Sequence, residues 1–143
     1  MAPRKGGSPP LPGIAADSVR YFALVFGAGF VLGTLRVLWL APTLGVRTAE
    51  LIEMPVMLTV VYLAARHTVR RRPGAGRLRL LLVGLIALAL LLLAELGVLL
   101  AQGLDPHESI AGRDPVSGGA YLASLVVYAV APALLTRSAA GAR

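Results

Sequence analysis

The sequence predicts an all-α fold: a four-helix transmembrane bundle with both termini cytoplasmic. Hydrophobic residues make up 57% of the 143-residue chain and charged residues only 15%, a balance too apolar for a water-soluble domain. Apolar stretches at about residues 19–41, 48–66, 78–101 and 119–136 each approach the length of about 20 residues that spans a bilayer. Basic residues flank them unevenly. We therefore expect a single membrane domain at residues 17–137.

The distribution of arginine and lysine sets the orientation. Eleven of the fourteen basic residues precede the first stretch, separate the second from the third, or follow the fourth. The remaining connections hold Arg47 and Arg113 together with Asp105, Glu108 and Asp114. Because short loops rich in Arg and Lys stay in the cytoplasm, the sequence predicts a multi-pass membrane protein with its N- and C-termini inside.

The first helix is expected to follow a mobile cytoplasmic tail, residues 1–16, which is rich in Pro and Gly. A signal peptide is disfavoured because the apolar run is long and lacks a convincing cleavage site. Asp17 or Ser18 is expected to cap this helix. Gly29 and Gly33 have the spacing that lets two membrane helices approach closely, although glycine is also common in such helices. A homodimer, or a contact in a larger membrane complex, is therefore a hypothesis.

The second and third helices each have one notable local feature. The link after Pro42 is so short that the first two helices must be antiparallel neighbours. Pro55 is expected to kink the second helix near its outer end, because proline removes a backbone hydrogen bond and frees the carbonyl of Leu51. The third helix has small residues, among them Gly84 and Ala87, at three- and four-residue steps, which predicts a packing seam.

The last connection and the fourth helix complete the bundle. Asp105 followed by Pro106 predicts a short interfacial helix at about residues 106–111. Tyr121 and Ser124 lie one turn apart on the fourth helix and share a face. Residues 138–143 are expected to form a short cytoplasmic tail.

Ionisable side chains interrupt three of the four apolar stretches. At about 1.5 Å per residue, all of them lie within about 9 Å of the outer helix ends, so a bundle that turns them inward forms one polar layer that Tyr121 and Ser124 also reach. A charge at this depth is costly and needs a partner or a function. The predicted cluster consists of Arg36, Glu50, Glu53 and Glu95.

Two functions are consistent with this cluster. Three carboxylates around one guanidinium do not all stay ionised in a low dielectric, so we expect at least one to hold a proton near neutral pH. Such a site suits a proton- or cation-linked transport protein, or an accessory of one. A buried ion pair that only fixes helix packing would look the same. A structural or assembly subunit, locked to itself or to a partner, is therefore the alternative.

Several other functions are disfavoured. The sequence has no cysteine, which excludes thiol chemistry and disulfides. We expect no enzyme and no cofactor, because a nucleophile elbow and a phosphate-binding loop are both missing. Asp105, His107 and Glu108 are nearly adjacent and rarely converge on one ion, so no metal site is expected.

The basic connection at residues 67–79 is expected to set the topology. It offers no helical or aromatic surface for reading nucleic acid, so nucleic acid is not an expected partner. It could also contact anionic lipid headgroups of the bilayer. The candidate residues for that contact are Arg70, Arg71, Arg72, Arg77 and Arg79.

One segment resembles a known group of proteins. GFVLGTLRVLWLAPTLGVRTAELIEMPVML, residues 29–58, resembles a run in small bacterial inner-membrane proteins with four helices, which implies location and architecture only. GFVLGTLR is also similar to the glycine-rich first helix of the small fluoride channels. The paired phenylalanines and the helix-two asparagine of that family are missing, and Glu50 and Glu53 would repel an anion, so fluoride transport is not expected.

Overall fold

A computed structural model describes the backbone of residues 11–140 and the side chains of residues 13–136, and every regular element in that part of the chain is helical. The first span consists of α1 (Leu11–Leu35), a π-helical turn (Arg36–Leu40) and α2 (Ala41–Leu44), which follow one another without a break. The other spans are α3 (Val46–Arg70), α4 (Arg77–Ala101) and α6 (Pro115–Ala140), and α5 (Pro106–Ala111) is a short helix between the last two.

Four of these helical stretches are long and apolar enough to cross a membrane. Their membrane-compatible lengths within the described residues are Gly13–Leu44, Val46–Arg70, Arg77–Ala101 and Pro115–Thr136. Each contains at least the roughly 20 residues that a bilayer requires. The predicted all-helical chain with four spans is thus confirmed.

The first helix starts earlier than the sequence predicts. The chain is already helical at Leu11, inside the segment assigned to a tail; the rest of that segment, residues 1–10, and residues 141–143 lie outside the described residues. Ile14 is only 4% exposed. Its burial stabilises a helical segment that precedes the uniformly apolar stretch. Asp17 and Ser18 are therefore interior helix residues, and the expectation that one of them caps the helix is wrong.

The four spans form a square in cross-section. α1 packs against α3 and α4, and α6 packs against the same two helices. α1 therefore lies diagonally opposite α6, and the consecutive helices α3 and α4 occupy the other diagonal. We call the end that holds the connection between α3 and α4 the basic end, and the end that holds Gly45 and α5 the distal end.

The tightest packing is in the basic half of the bundle. Tyr21 of α1 and Tyr128 of α6 stack at its centre with ring centroids 4.7 Å apart, and the Tyr21 hydroxyl donates to the Tyr128 carbonyl at 2.8 Å. This pair joins the two diagonal helices across the bundle axis. The surrounding core residues include Val25, Val61, Ala64, Ala65, Val83, Ala87 and Leu91.

Glycines allow two close helix contacts. An ideal Cβ at Gly84 of α4 would overlap the backbone carbonyl of Ala129 on α6, so these two backbones touch along the predicted seam. An ideal Cβ at Gly29 would lie 3.3 Å from Cε of Met57 on α3, whereas one at Gly33 would meet nothing within 4 Å in the described chain. Gly29 thus serves packing within the chain, and the homodimer stays a prediction.

Replacing Gly84 by Ala should destabilise the bundle. The added methyl group must separate α4 from the α6 backbone, and overpacking of this kind costs about 1–3 kcal/mol. The free energy of unfolding in a detergent titration measures the loss. Gly97→Ala on the same helix is the control, because an ideal Cβ there meets nothing within 4 Å among the described residues. Equal stability of the two variants would contradict this account of the contact.

Candidate functional site

The inward-facing surfaces of α1 and α4 lose their cover towards the distal end. Tyr21 of α1 is 0% exposed, whereas Trp39, in the π-helical turn of the same span, is 71% exposed. On α4 the inward-facing residues recur every three or four positions, and their exposure rises from 0% at Ala87 to 40% at Val98. These gradients indicate an opening between the first span and α4 in the distal half of the bundle.

The other distal contacts stay closed. Ala49 of α3 and Ser117 of α6 are buried, and Ser124 of α6 contacts Sδ of Met54 on α3. The π-helical turn and α2 pack against α3. The distal half is therefore a three-sided enclosure, and charged side chains lie on its walls.

Arg36 forms an ion pair with both glutamates of α3. Its Nη1 atom lies 3.1 Å from Oε2 of Glu53 and 3.9 Å from Oε1 of Glu50. Glu50 and Glu53 are one turn apart and so point to the same side of α3. The predicted layering therefore brings three of the four cluster residues together, between the first span and α3.

A π-helical turn begins at Arg36, where the amide of Ala41 donates to the Arg36 carbonyl across five residues. Such turns insert one extra residue into a helix and shift which side chains share a face. The turn was not predicted, because a change from α- to π-helical hydrogen bonding leaves no mark on an apolar pattern.

The Arg36–Glu53 contact leaves one carboxylate oxygen without a donor. Oε2 of Glu53 is buried and makes no hydrogen bond in the described chain, so its 3.1 Å approach to Arg36 is an ion pair without hydrogen-bond alignment. A buried acceptor that lacks a donor is energetically costly. This oxygen can therefore accept a hydrogen bond from a proton-carrying or cationic group that enters the opening.

Glu95 belongs to a second, separate contact. Its carboxylate accepts a hydrogen bond from the hydroxyl of Tyr121 on α6, and the guanidinium of Arg113 lies 4.5 Å from the centroid of the Tyr121 ring. Glu95 forms no ion pair with Arg36 within the described residues. The expectation of one four-charge cluster is corrected here: α4 faces α6, so Glu95 finds a phenol before it reaches a guanidinium.

The two supporting residues of α3 and α6 are also engaged locally. Pro55 lies one turn from Leu51 inside an otherwise continuous helix, and its carbonyl accepts from the hydroxyl of Thr59 at 2.9 Å. The hydroxyl of Ser124 donates to the carbonyl of Ala120 at 2.9 Å. Neither side chain touches Arg36, so Pro55 and Ser124 shape the walls rather than pair with the charges.

A cavity of about 410 Å³ leads from the distal surface to this site. An exposed ion pair lies at its rim, with Nε of Arg47 3.6 Å from Oδ2 of Asp114. Glu50 belongs both to the cavity wall and to the Arg36 pair, so the cavity reaches the edge of this partly exposed ion-pair group. The lining residues are Val46, Arg47, Glu50, Ser109, Gly112, Arg113 and Asp114.

Aspartate side chains cap the N-termini of both distal helices, α5 and α6. Oδ1 of Asp105 accepts from the amide of His107 at 2.8 Å at the start of α5, which confirms the predicted helix at residues 106–111. Asp114 accepts from the amides of Val116 and Ser117 at 3.1 and 3.0 Å at the start of α6. These carboxylates satisfy backbone donors that the helices leave free.

Asp17 is the charged residue that the sequence reading misjudged. It is 3% exposed, and its Oδ2 atom accepts from Nε of Arg72 at 2.8 Å and from Nη2 of Arg79 at 3.3 Å. These contacts join α1 to the α3–α4 connection and to α4, and we call them the basic-end clasp. A signal was present: Asp17 is the sole acidic residue that the predicted topology puts among the basic ones.

The clasp involves two residues of the basic connection. Arg72 and Arg79, predicted to contact lipid headgroups, bind a carboxylate of their own chain, and their contact with lipid stays a prediction. The other candidates, Arg70, Arg71 and Arg77, are exposed.

Comparisons with known proteins add no further constraint: no family model, curated protein or solved structure matches this chain. Among residues 11–140, no three His, Asp or Glu side chains are grouped so that they could hold a metal ion. The chemistry of the site follows from its geometry alone.

Replacing Asp17 by Asn should lower the free energy of unfolding by about 3 kcal/mol, near the lower end for a broken buried ion pair, because Arg79 loses its partner while Arg72 stays partly solvated. Asp105→Asn is the control, because it exchanges one good helix-capping residue for another at an exposed site. A detergent unfolding titration compares the two. Equal stability would show that the clasp contributes nothing.

The start of α6 should weaken in acid. The amide of Ser117 donates to Asp114 and, together with Arg47 and the amide of Val116, holds the pKa of that carboxyl below its ordinary value of 3.8. The contribution to stability is therefore complete above pH 3.8 and is lost as the pH falls through the lower folded pKa. The stability difference between wild type and Asp114→Ala, measured as a function of pH, should shrink over that range. A difference that does not change with pH would contradict this assignment.

Proposed function

We propose that the chain is a small multi-pass protein of the bacterial inner membrane, with both termini in the cytoplasm, whose distal charges take part in proton- or cation-linked transport or in an accessory role to it. The orientation is supported by the basic end, since Arg-rich loops stay in the cytoplasm. The resemblance of residues 29–58 to small four-helix inner-membrane proteins agrees with this location. The distal cavity then opens to the periplasmic side.

The observation that carries the proposal is the unsatisfied oxygen of Glu53. It lies beside Arg36 in an enclosure that is open on one side, and Glu50 links it to the distal cavity. A carboxylate that is only partly neutralised at membrane depth is typical of proton and ion pathways. We assign no catalytic role and no cofactor to it.

Binding at Glu53 would alter the contact between two spans. A proton or small cation on its carboxylate competes with Arg36 and weakens the ion pair that holds the first span to α3 in the distal half. The basic half has no such dependence, because the Tyr21–Tyr128 stack and the basic-end clasp hold it closed. Occupancy of Glu53 would therefore be coupled to movement of the distal half alone.

Glu95 would provide a second acceptor on the opposite wall. Its carboxylate accepts a hydrogen bond from Tyr121, and the phenol is itself a group that can pass a proton. In this proposal Arg36 compensates charge, and the three glutamates accept the proton or cation.

A structural or assembly subunit is the second candidate, and one observation favours it. Arg36 approaches both Glu50 and Glu53, which fixes the first span against α3 without any ligand. Exposed apolar side chains at the distal half, such as Val37 and Trp39, would then contact lipid or another membrane protein.

Substitution of Glu53 by Gln and of Arg36 by Met, singly and together, separates the two functions. For a transport site, each fold remains stable while pH-dependent flux in liposomes is lost in all three variants. For a structural pair, each single change lowers the free energy of unfolding by about 1 kcal/mol, since the pair is partly exposed, and the double change recovers it.

Glu108→Gln provides the matched control, because it removes an exposed carboxylate of α5 outside the cluster. Its flux and stability should equal those of the wild type. Wild-type liposomes that carry no flux above protein-free liposomes, across gradients of protons and of monovalent cations, would reject transport by this chain alone.

A further inference from the structure

A shallow apolar groove of about 270 Å³ lies between α1 and α3 in the basic half of the bundle. Leu24 and Leu63 on its walls are 47% and 55% exposed, so the groove faces outward, where a bilayer places acyl chains. The lining residues are Leu24, Val60, Leu63, Ala64 and His67.

Cationic side chains continue the same helix faces towards the basic end. Ala64, His67 and Arg71 recur at three- and four-residue steps on α3 and therefore share a face. The amide of Arg71 donates to the carbonyl of His67, so the helical register extends to Arg71. On α1, Arg20 lies one turn from Leu24 on the groove side.

The basic-end clasp puts these cations at the same level. The Asp17–Arg72 contact of 2.8 Å fixes the level of α1 relative to the end of α3. Arg20 lies about one helical turn from Asp17 in the direction of the distal end. His67 lies slightly more than one turn from Arg72 in the same direction. Arg20 and Arg71 therefore flank the basic end of the groove, and both are exposed.

These two arginines are available for a ligand. In the part of the chain that the structure describes, ion pairs at this end involve Arg72 and Arg79 but neither Arg20 nor Arg71. Two exposed guanidinium groups thus stand at the end of an apolar groove that faces outward. An anionic head with an apolar tail is complementary to both parts.

We propose that this groove binds one anionic glycerophospholipid from the leaflet at the basic end of the bundle. The headgroup phosphate pairs with Arg20 and Arg71, and the first part of one acyl chain lies along Leu24, Val60 and Leu63. A free phosphate ion would use the cations and leave the apolar walls uncovered. The site lies in the half of the bundle opposite to the Glu53 enclosure and does not depend on transport.

Native mass spectrometry of the full purified chain tests the proposal. The probes are phosphatidylglycerol and phosphatidylcholine with identical acyl chains, offered in equal amounts, and the readout is the ratio of their first adducts. Each arginine near an anionic headgroup contributes about fivefold in affinity, so Arg20→Gln with Arg71→Gln should lower the preference for phosphatidylglycerol by about tenfold or more.

The charge-matched control is Arg66→Gln with Arg77→Gln. Both residues are exposed at the basic end. Arg77 belongs to α4, and Arg66 lies about 100° around α3 from the row of Ala64, His67 and Arg71, so this pair should change the preference by less than about twofold. An equal loss in the two double variants would mean a diffuse attraction of anionic lipid to basic charge and would overturn the proposal.

Two further measurements distinguish the lipid from a simple anion. Leu63→Trp fills the groove without changing charge and should reduce the first phosphatidylglycerol adduct; an unchanged adduct would overturn the role of the groove. Soluble glycerol phosphate should not displace the bound lipid, and displacement by it would indicate an anion site that does not need an acyl chain. Unchanged unfolding curves show that the exposed substitutions leave the fold intact.

Discussion

The cost of holding charge among apolar helices is the constraint on which this structure depends, and the chain meets it differently at its two ends. At the basic end, one buried carboxylate binds two arginines, which joins α1 to the α3–α4 connection and to α4. At the distal end, one arginine serves two glutamates, and a buried oxygen keeps no donor. Nε of Arg79 in the first arrangement is likewise buried and has no hydrogen-bond partner within the described residues, so neither end satisfies all of its buried polar atoms.

Packing follows the same division. In the basic half, glycine and alanine bring the helices together around two stacked tyrosines, as at the Gly84–Ala129 contact. In the distal half, the π-helical turn with the exposed Trp39 packs against α1, α2 and α3. The buried apolar core lies in the basic half, and local opening concentrates where buried apolar contacts are few.

Much of this architecture is readable from the sequence, for reasons specific to each element. Apolar length alone defines the four spans, and Asp105 with Pro106 marks α5. The rise per residue puts Arg36 level with Glu50 and Glu53. Partner choice is harder, because it depends on which helices are neighbours: Glu95 meets Tyr121 since α4 packs on α6. Asp17 was mistaken for a cap because hydropathy does not show that Ile14 is buried. The earlier start of α1, at Leu11, was therefore missed.

Trp39 is the single tryptophan of the sequence, and it lies in the π-helical turn that begins at Arg36. Its indole is therefore a built-in optical reporter whose emission comes from one rim of the molecule. The wavelength of its emission and the quenching of that emission report the polarity and the solvent access around that rim without any attached dye. The opposite, arginine-rich end contributes no tryptophan emission.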